Sequence, residues 1–166
     1  DEPTPRRPIV PQPVRDLQAR QQGDAVVLSF TLPNQSTRKE PLAAPPAIEI
    51  YRGETGAGAG AKPANKAGTR LIYTIPGEMV DSYRADARIV YRDAISANAA
   101  GAEQVYAVRT RAARNRASAE SNRVAVRIRP APEAVSNVSA RVAGQSVTLT
   151  WPREANANYR VYKAEI

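Results

Sequence analysis

The 166-residue chain has neither cysteine nor histidine. These absences remove disulfides, the Cys/His sets that hold structural zinc, and serine–histidine and cysteine–histidine catalysis. The redox compartment stays open, because a domain of this size can bury enough core without crosslinks. Aromatics are scarce, with one Trp, one Phe and seven Tyr. That is a thin supply for the stacking platforms on which single-stranded nucleic acids lie. No apolar run approaches the roughly 20 residues of a membrane-spanning helix. The chain opens with Asp1 rather than Met, which reads as a processed, engineered or incompletely recorded start.

Positive charge is abundant. The formal net charge is +8, and only 4 of the 24 basic residues are lysine. A basic balance favours an anionic partner such as nucleic acid, lipid headgroups or an acidic protein. The arginines do not form a run, and an Arg- and Ala-rich solvated surface is the plainer account of the same numbers.

Residues 13–30 (PVRDLQARQQGDAVVLSF) return without a gap at 134–151 (AVSNVSARVAGQSVTLTW), offset by 121, with six of eighteen positions identical. Asp16/Asn137, Leu17/Val138 and Phe30/Trp151 are conservative exchanges. A repeat at this spacing means one domain type used twice, the second time only in part.

Residues 1–13 carry five prolines and read as an extended, semi-rigid tether. Period-two alternation and turn residues then predict strands over 14–19, 25–32, 48–52, 71–75, 88–95, 105–112 and 122–129. Gly23-Asp24 and Pro76-Gly77 are turns, 34–46 is a polar, Pro-rich loop, and 53–68 (GETGAGAGAKPANKAG) is a flexible excursion. Gly56, Gly58 and Gly60 are not a dinucleotide fingerprint, since no strand–helix unit follows. Pro130 and Pro132 mark a linker at 130–133, after which 134–166 opens the second copy. Short strands joined by Gly/Pro turns, with no amphipathic helix, predict an all-β antiparallel sandwich.

Several of these residues resemble the fibronectin type III family. Leu149-Thr150-Trp151 followed by 159–163 (YRVYK) matches the tryptophan-bearing second strand and the Tyr-x-Val strand after it. In the first copy Phe30 stands for the tryptophan, 48–52 (IEIYR) parallels YRVYK, and Tyr106 after Gly101 resembles the tyrosine of the penultimate strand. The resemblance implies an immunoglobulin-like, fibronectin type III β-sandwich over 14–129 and the first strands of another over 134–166. The first copy is long for this family, and no RGD sequence supports adhesion by that route. The Pro-rich tether also resembles the processed end of bacterial envelope lipoproteins. That implies a periplasmic or extracellular place in the bacterial cell envelope, with any lipid anchor held by a residue outside this sequence.

Catalysis has only scattered acids to draw on. Asp24, Asp81, Asp86 and Asp93 match no calcium loop, and turn acids ordinarily cap the backbone; Asp93 reads as one. No catalytic, metal or cofactor site is expected, and the chain reads as not an enzyme. Trp151 and Tyr106 fall on inward strand faces and read as core. The sharpest feature is an arginine stripe. With Tyr106, Val108, Val124 and Val126 inward, Arg109, Arg111, Arg123, Arg127 and Arg129 face outward, joined by Glu49 and Tyr51. Five guanidiniums on one sheet face suit carboxylates or phosphates, and equally a charged face that deters sheet aggregation.

The reading is a tethered, non-enzymatic accessory subunit or scaffold. Its partners are other protein subunits of an envelope complex, with an acidic protein surface or anionic lipid against the stripe; nucleic acid is disfavoured. The alternative is an accessory module that binds or helps process surface polysaccharide, which needs an exposed aromatic platform. Two further expectations follow. The tether should run along another molecule, and Trp151 should be covered either by chain beyond Ile166 or by another chain.

Overall fold

The computed structural model describes residues 9–55, 68–130, 133–155 and 157–163. The chain divides into two compact units, Asp1–Pro130 and Ala131–Ile166.

The first unit is all-β. Its strands are β1 (Gln18–Gln22), β2 (Ala25–Phe30), β3 (Ala47–Thr55), β4 (Arg70–Ile75), β5 (Arg84–Ala85), β6 (Arg88–Ala94), β7 (Glu103–Arg111) and β8 (Val124–Arg127). They form two antiparallel four-stranded sheets, ordered β1-β2-β6-β5 and β4-β3-β7-β8. The helical pieces among the described residues are 3₁₀ turns at Gly77–Tyr83 and Ala97–Ala99. The first of these fills the stretch before β5 and buries Val80.

Alternation puts the core where period two predicts it. Val26, Leu28 and Phe30 from one sheet and Ile48, Ile50, Tyr106 and Val108 from the other are all fully buried. Val126 is buried at its margin and Val124 packs against it partly exposed. The excursion expected from residue 53 starts later, because β3 continues through Gly53 to Thr55 opposite Val105 to Glu103. The rest of that stretch, including Gly56, Gly58 and Gly60, lies outside the described residues. A Cβ on Gly53 would overlap the Gly68 carbonyl oxygen. The chain entering β4 therefore crosses the outer sheet face there, and only glycine leaves it room.

The first strand also differs from expectation. Residues 14–17 are buried at Val14 and Leu17 but form no ladder, and side chains take the backbone groups of Leu17 and the Asp16 carbonyl. Asn122 Oδ1 accepts from Leu17 N–H at 3.0 Å, and Asn122 Nδ2 donates to Leu17 C=O at 2.9 Å. Gln21 repeats the device at the other end of this flank. It donates to Arg129 C=O at 2.9 Å and accepts from Arg129 N–H at 2.9 Å. Each primary amide acts as a one-residue strand joining the two sheets. The Asp16 carboxylate accepts from Thr31 N–H and from Arg88, whose guanidinium also donates to Ser29.

The described end of the tether packs on its own unit. Pro11 is buried, Gln12 N–H donates to Gln35 C=O at 3.0 Å, and Thr37 N–H donates to Val10 C=O at 2.8 Å. Residues 10–12 thus pack on the loop of their own unit; residues 1–8 lie outside the described ones.

The described residues of the second unit form one hairpin, β9 (Ser139–Ala143) and β10 (Ser146–Thr150). Its register, from Ser139↔Thr150 to Ala143↔Ser146, is that of β1–β2 displaced by 121 residues at every pair. Gly23 and Gly144 both turn their hairpins at positive φ, 59° and 60°. A side chain would strain either turn, whose left-handed residue matches the twist of the strands it joins. The repeat is therefore structural as well as sequential. It differs in exposure: every residue of β9 and β10 is exposed.

Candidate functional site

The outer face of β3 and β7 holds the candidate surface. Inward Ile48 and Ile50 force Glu49 and Tyr51 outward, and inward Val108 and Thr110 do the same for Arg109 and Arg111. Glu49 lies opposite Arg109 in the ladder. The Glu49 carboxylate is the buried base of the cluster, its side chain 8% exposed. It accepts from Arg111 Nε at 2.6 Å and from the Tyr51 hydroxyl at 2.9 Å. Burial alone would raise this carboxyl. The two donors, with the Arg111 and Arg109 charges, outweigh burial and hold it below the usual glutamate range. Burial and donation to Glu49 together push the Tyr51 hydroxyl up.

Arg109 lies over the Tyr51 ring, 5.2 Å from its centroid, in a cation–π contact. Its Nη2 pairs with Glu120 Oε2 at 3.5 Å, and Arg123 Nε takes Glu120 Oε1 at 2.6 Å. Arg109 Nε is buried without a hydrogen-bond partner. Arg114 and Arg116 add two further charges on the loop that follows β7. Three arginines thus stand around two glutamates, so the cluster keeps an excess of positive charge, to which the adjoining loop adds.

The loop takes its shape from two serines. Ser118 and Ser121 hydroxyls each accept a β7 N–H, from Thr110 and Val108, at 3.0 Å. The Ser118 and Ser121 N–H groups donate back to the Thr110 and Val108 carbonyls, so the hydroxyls stand in only for the carbonyl acceptors, and β8 begins at Val124 rather than at residue 122. It pairs with β7 only from Tyr106↔Val124 to Glu103↔Arg127. The expected row of five guanidiniums is divided as a result. Arg109, Arg111 and Arg123 gather around Glu49, Tyr51 and Glu120. Arg127 is opposite Glu103, six residues or about 20 Å along β7 from Arg109. Val105 and Ala107, fully buried, separate them. Arg129 follows the strand, with its backbone bound to Gln21.

Two groupings were not legible in the sequence. Asp93 is no turn residue. It lies on β6 opposite Val26, faces inward, and pairs with Arg52 across the two sheets at 2.7 Å. The buried Tyr106 hydroxyl donates to the same Asp93 oxygen at 2.7 Å. Burial and that bond raise the Tyr106 hydroxyl far above its ordinary value, so it stays protonated. Alternation alone would have turned Arg52 and Asp93 inward, but the reach from one sheet to the other is not in the pattern. The second grouping is Tyr73, Tyr83 and Tyr91. Tyr73 and Tyr91 stack with centroids 5.3 Å apart, and the Tyr73 and Tyr83 hydroxyls are 3.2 Å apart. Tyr73 is 39% exposed on the edge strand β4.

Among the described residues no three His, Cys, Asp or Glu side chains come together to hold a metal. No helix among the described residues is long and apolar enough to cross a membrane. Neither the protein-family models nor the curated proteins contain a match to this chain.

Proposed function

We propose that the chain is a non-enzymatic interaction module, a fibronectin type III–like sandwich serving as an accessory subunit or scaffold in a bacterial envelope assembly. In immunoglobulin-like lettering the two sheets run A-B-E-D and C′-C-F-G, which supports the family reading. The observation that carries the interaction reading is the cluster on β3 and β7. Glu49, Tyr51 and Glu120 hold Arg109, Arg111 and Arg123 in fixed positions, so a partner's carboxylates meet guanidiniums that have little freedom left to lose. The partner is an acidic protein surface, with anionic lipid as the alternative anion. Crosslinking in the intact envelope, followed by co-purification at low and high salt, tests this. A crosslinked acidic subunit that salt removes supports it; crosslinks confined to the opposite sheet would refute it.

The tyrosine group favours a second reading, an accessory module for surface polysaccharide. Tyr73, Tyr83 and Tyr91 present aromatic surface and hydroxyls together, and sugar rings use both. Titration with oligosaccharides of the producing cell, read in the tyrosine ring resonances, separates this reading from the first.

A further inference from the structure

Six positions are identical between residues 13–30 and 134–151, and five of them have a reason in the fold. Val14, Ala19, Val26 and Leu28 belong to the core or pack against it, and Gly23 turns its hairpin at positive φ. Arg20, kept as Arg141, has no such reason. It is exposed on the outer face of β1, where neither packing nor turn geometry selects a residue. On that face the ladders set two rows side by side: Gln18, Ser29 and Val90 form one, and Arg20, Val27 and Arg92 the other. They enclose a pocket of about 360 Å³, a volume at the small end for ligand sites. Val27, 7% exposed, and the half-buried Val90 supply an apolar floor.

Arg88 is a fixed wall of this pocket. Its guanidinium donates to Asp16 Oδ2 at 2.9 Å, to Asp16 C=O at 3.1 Å, to Ser29 Oγ at 2.6 Å and to Ser29 C=O at 2.9 Å. The Asp16 carboxylate is engaged by Arg88 and by Thr31. Arg20 differs. With its amide oxygen turned toward Arg20, Gln22 accepts from Nε at 3.0 Å and from Nη2 at 2.8 Å. Among the described residues no carboxylate pairs with Arg20, and its Nη1 has no partner. The arginines on β3 and β7 have Glu49 and Glu120 beside them; this one keeps its charge for something else.

We propose that this pocket binds a small apolar carboxylate. The carboxylate meets the free edge of Arg20 in a charge-assisted hydrogen bond, and the apolar body lies on Val27 and Val90. The Ser29 hydroxyl accepts from Arg88 and still has its own proton to give the ligand. Phosphate suits the site poorly, because its oxygens call for several donors and the floor offers none. The volume is that of a free small molecule rather than a length of chain. The site lies on the other sheet from the arginine cluster, and the inference is independent of that cluster's partner.

Isovalerate is the probe, read in the methyl resonances of Val27 and Val90 at constant ionic strength. Both should shift saturably, with a dissociation constant on the order of a millimolar, within reach of a ligand of about seven non-hydrogen atoms. Isovaleramide, which keeps the shape without the charge, should bind about tenfold more weakly or worse. Arg20→Gln should lose isovalerate to the same degree while keeping the wild-type urea midpoint. Val90→Phe fills the floor and leaves every charge in place, and should abolish the Val27 shift. Any of four results would overturn the proposal: no saturable shift, isovaleramide equal to isovalerate, Arg20→Gln binding like the wild type, or inorganic phosphate binding as tightly as isovalerate. The last would leave a basic face that attracts anions without a pocket for them. N-acetylleucine, whose carboxylate sits as on a chain end, should bind more weakly than isovalerate; tighter binding would overturn the assignment to a free acid and give the pocket to a polypeptide terminus.

Discussion

Phe30 and Asp93 face the same interior from adjoining strands, one filling it and the other placing a charge in it. Phe30 is fully buried opposite Ile89 in the β2–β6 ladder. Phe30→Ala should cost about 3–5 kcal/mol in urea unfolding, the range for a buried aromatic that leaves a cavity. Asp93 pairs with Arg52, their side chains 11% and 25% exposed, and accepts from Tyr106 as well. Asp93→Ala strands the Arg52 guanidinium, while the Tyr106 hydroxyl keeps Gln104 Oε1 as an acceptor at 2.8 Å, so its cost should be about 3 kcal/mol, the lower end for a broken buried pair. Replacing Arg52 and Asp93 jointly by Met and Leu should recover most of that. Phe30 was legible because period two alone marks it. Asp93 was not, because an aspartate beside a loop reads as a turn acid and its partner lies 41 residues away. Glu49 and Asp16 carry the acid limb of stability. For both, burial is outweighed by donated hydrogen bonds and nearby arginines, and the carboxyl is held below its ordinary value. A depressed folded value adds stability that is present above the unfolded value and lost as pH falls through the folded one. Urea midpoints should therefore drop below the ordinary carboxylate range, and Glu49→Gln should lower the neutral midpoint while flattening that drop.

Strand existence was readable, but strand ends were not, and two of the misses have side chains behind them. Asn122 takes both backbone groups of Leu17, so the segment before β1 packs without joining a ladder. Ser118 and Ser121 offer β7 their hydroxyls where a strand would offer carbonyls, so β8 starts late. Parity placed Arg109, Arg111 and Arg127 on one face correctly. Register, which parity cannot supply, divided them by setting Arg127 against Glu103. The amide bridges are testable as elements of the fold. Asn122→Ala removes two hydrogen bonds between the sheets and should cost about 1–3 kcal/mol, at the usual net worth of each bond. Hydrogen exchange should show the loss first at residues 14–17 and at β8, with β3 and β7 little changed. Uniform loosening of both sheets would mean that the amides do not act as local bridges.

At the scale of the molecule, the net charge of +8 and the arginine cluster point toward the same class of partner. Testing that link needs substitutions that leave the fold alone. Arg111 is unsuitable, because reversing it would set a second carboxylate against the buried Glu49. Arg114 and Arg116 carry their charge on the same loop, and the contacts found for them are made by their backbones. Arg114→Glu with Arg116→Glu should therefore keep the urea midpoint of the wild type. It should weaken association with the proposed acidic partner on the order of tenfold, chiefly through a slower association rate, as peripheral charges do. Salt should weaken the wild type and affect the double variant less, since screening acts only on the attraction that remains. An unchanged association rate in the double variant, with the wild type indifferent to salt, would leave the cluster as a solvated face. The proposed second reading, through the tyrosine group on the other side of β3 where β4 carries Tyr73, would then be the one left to test.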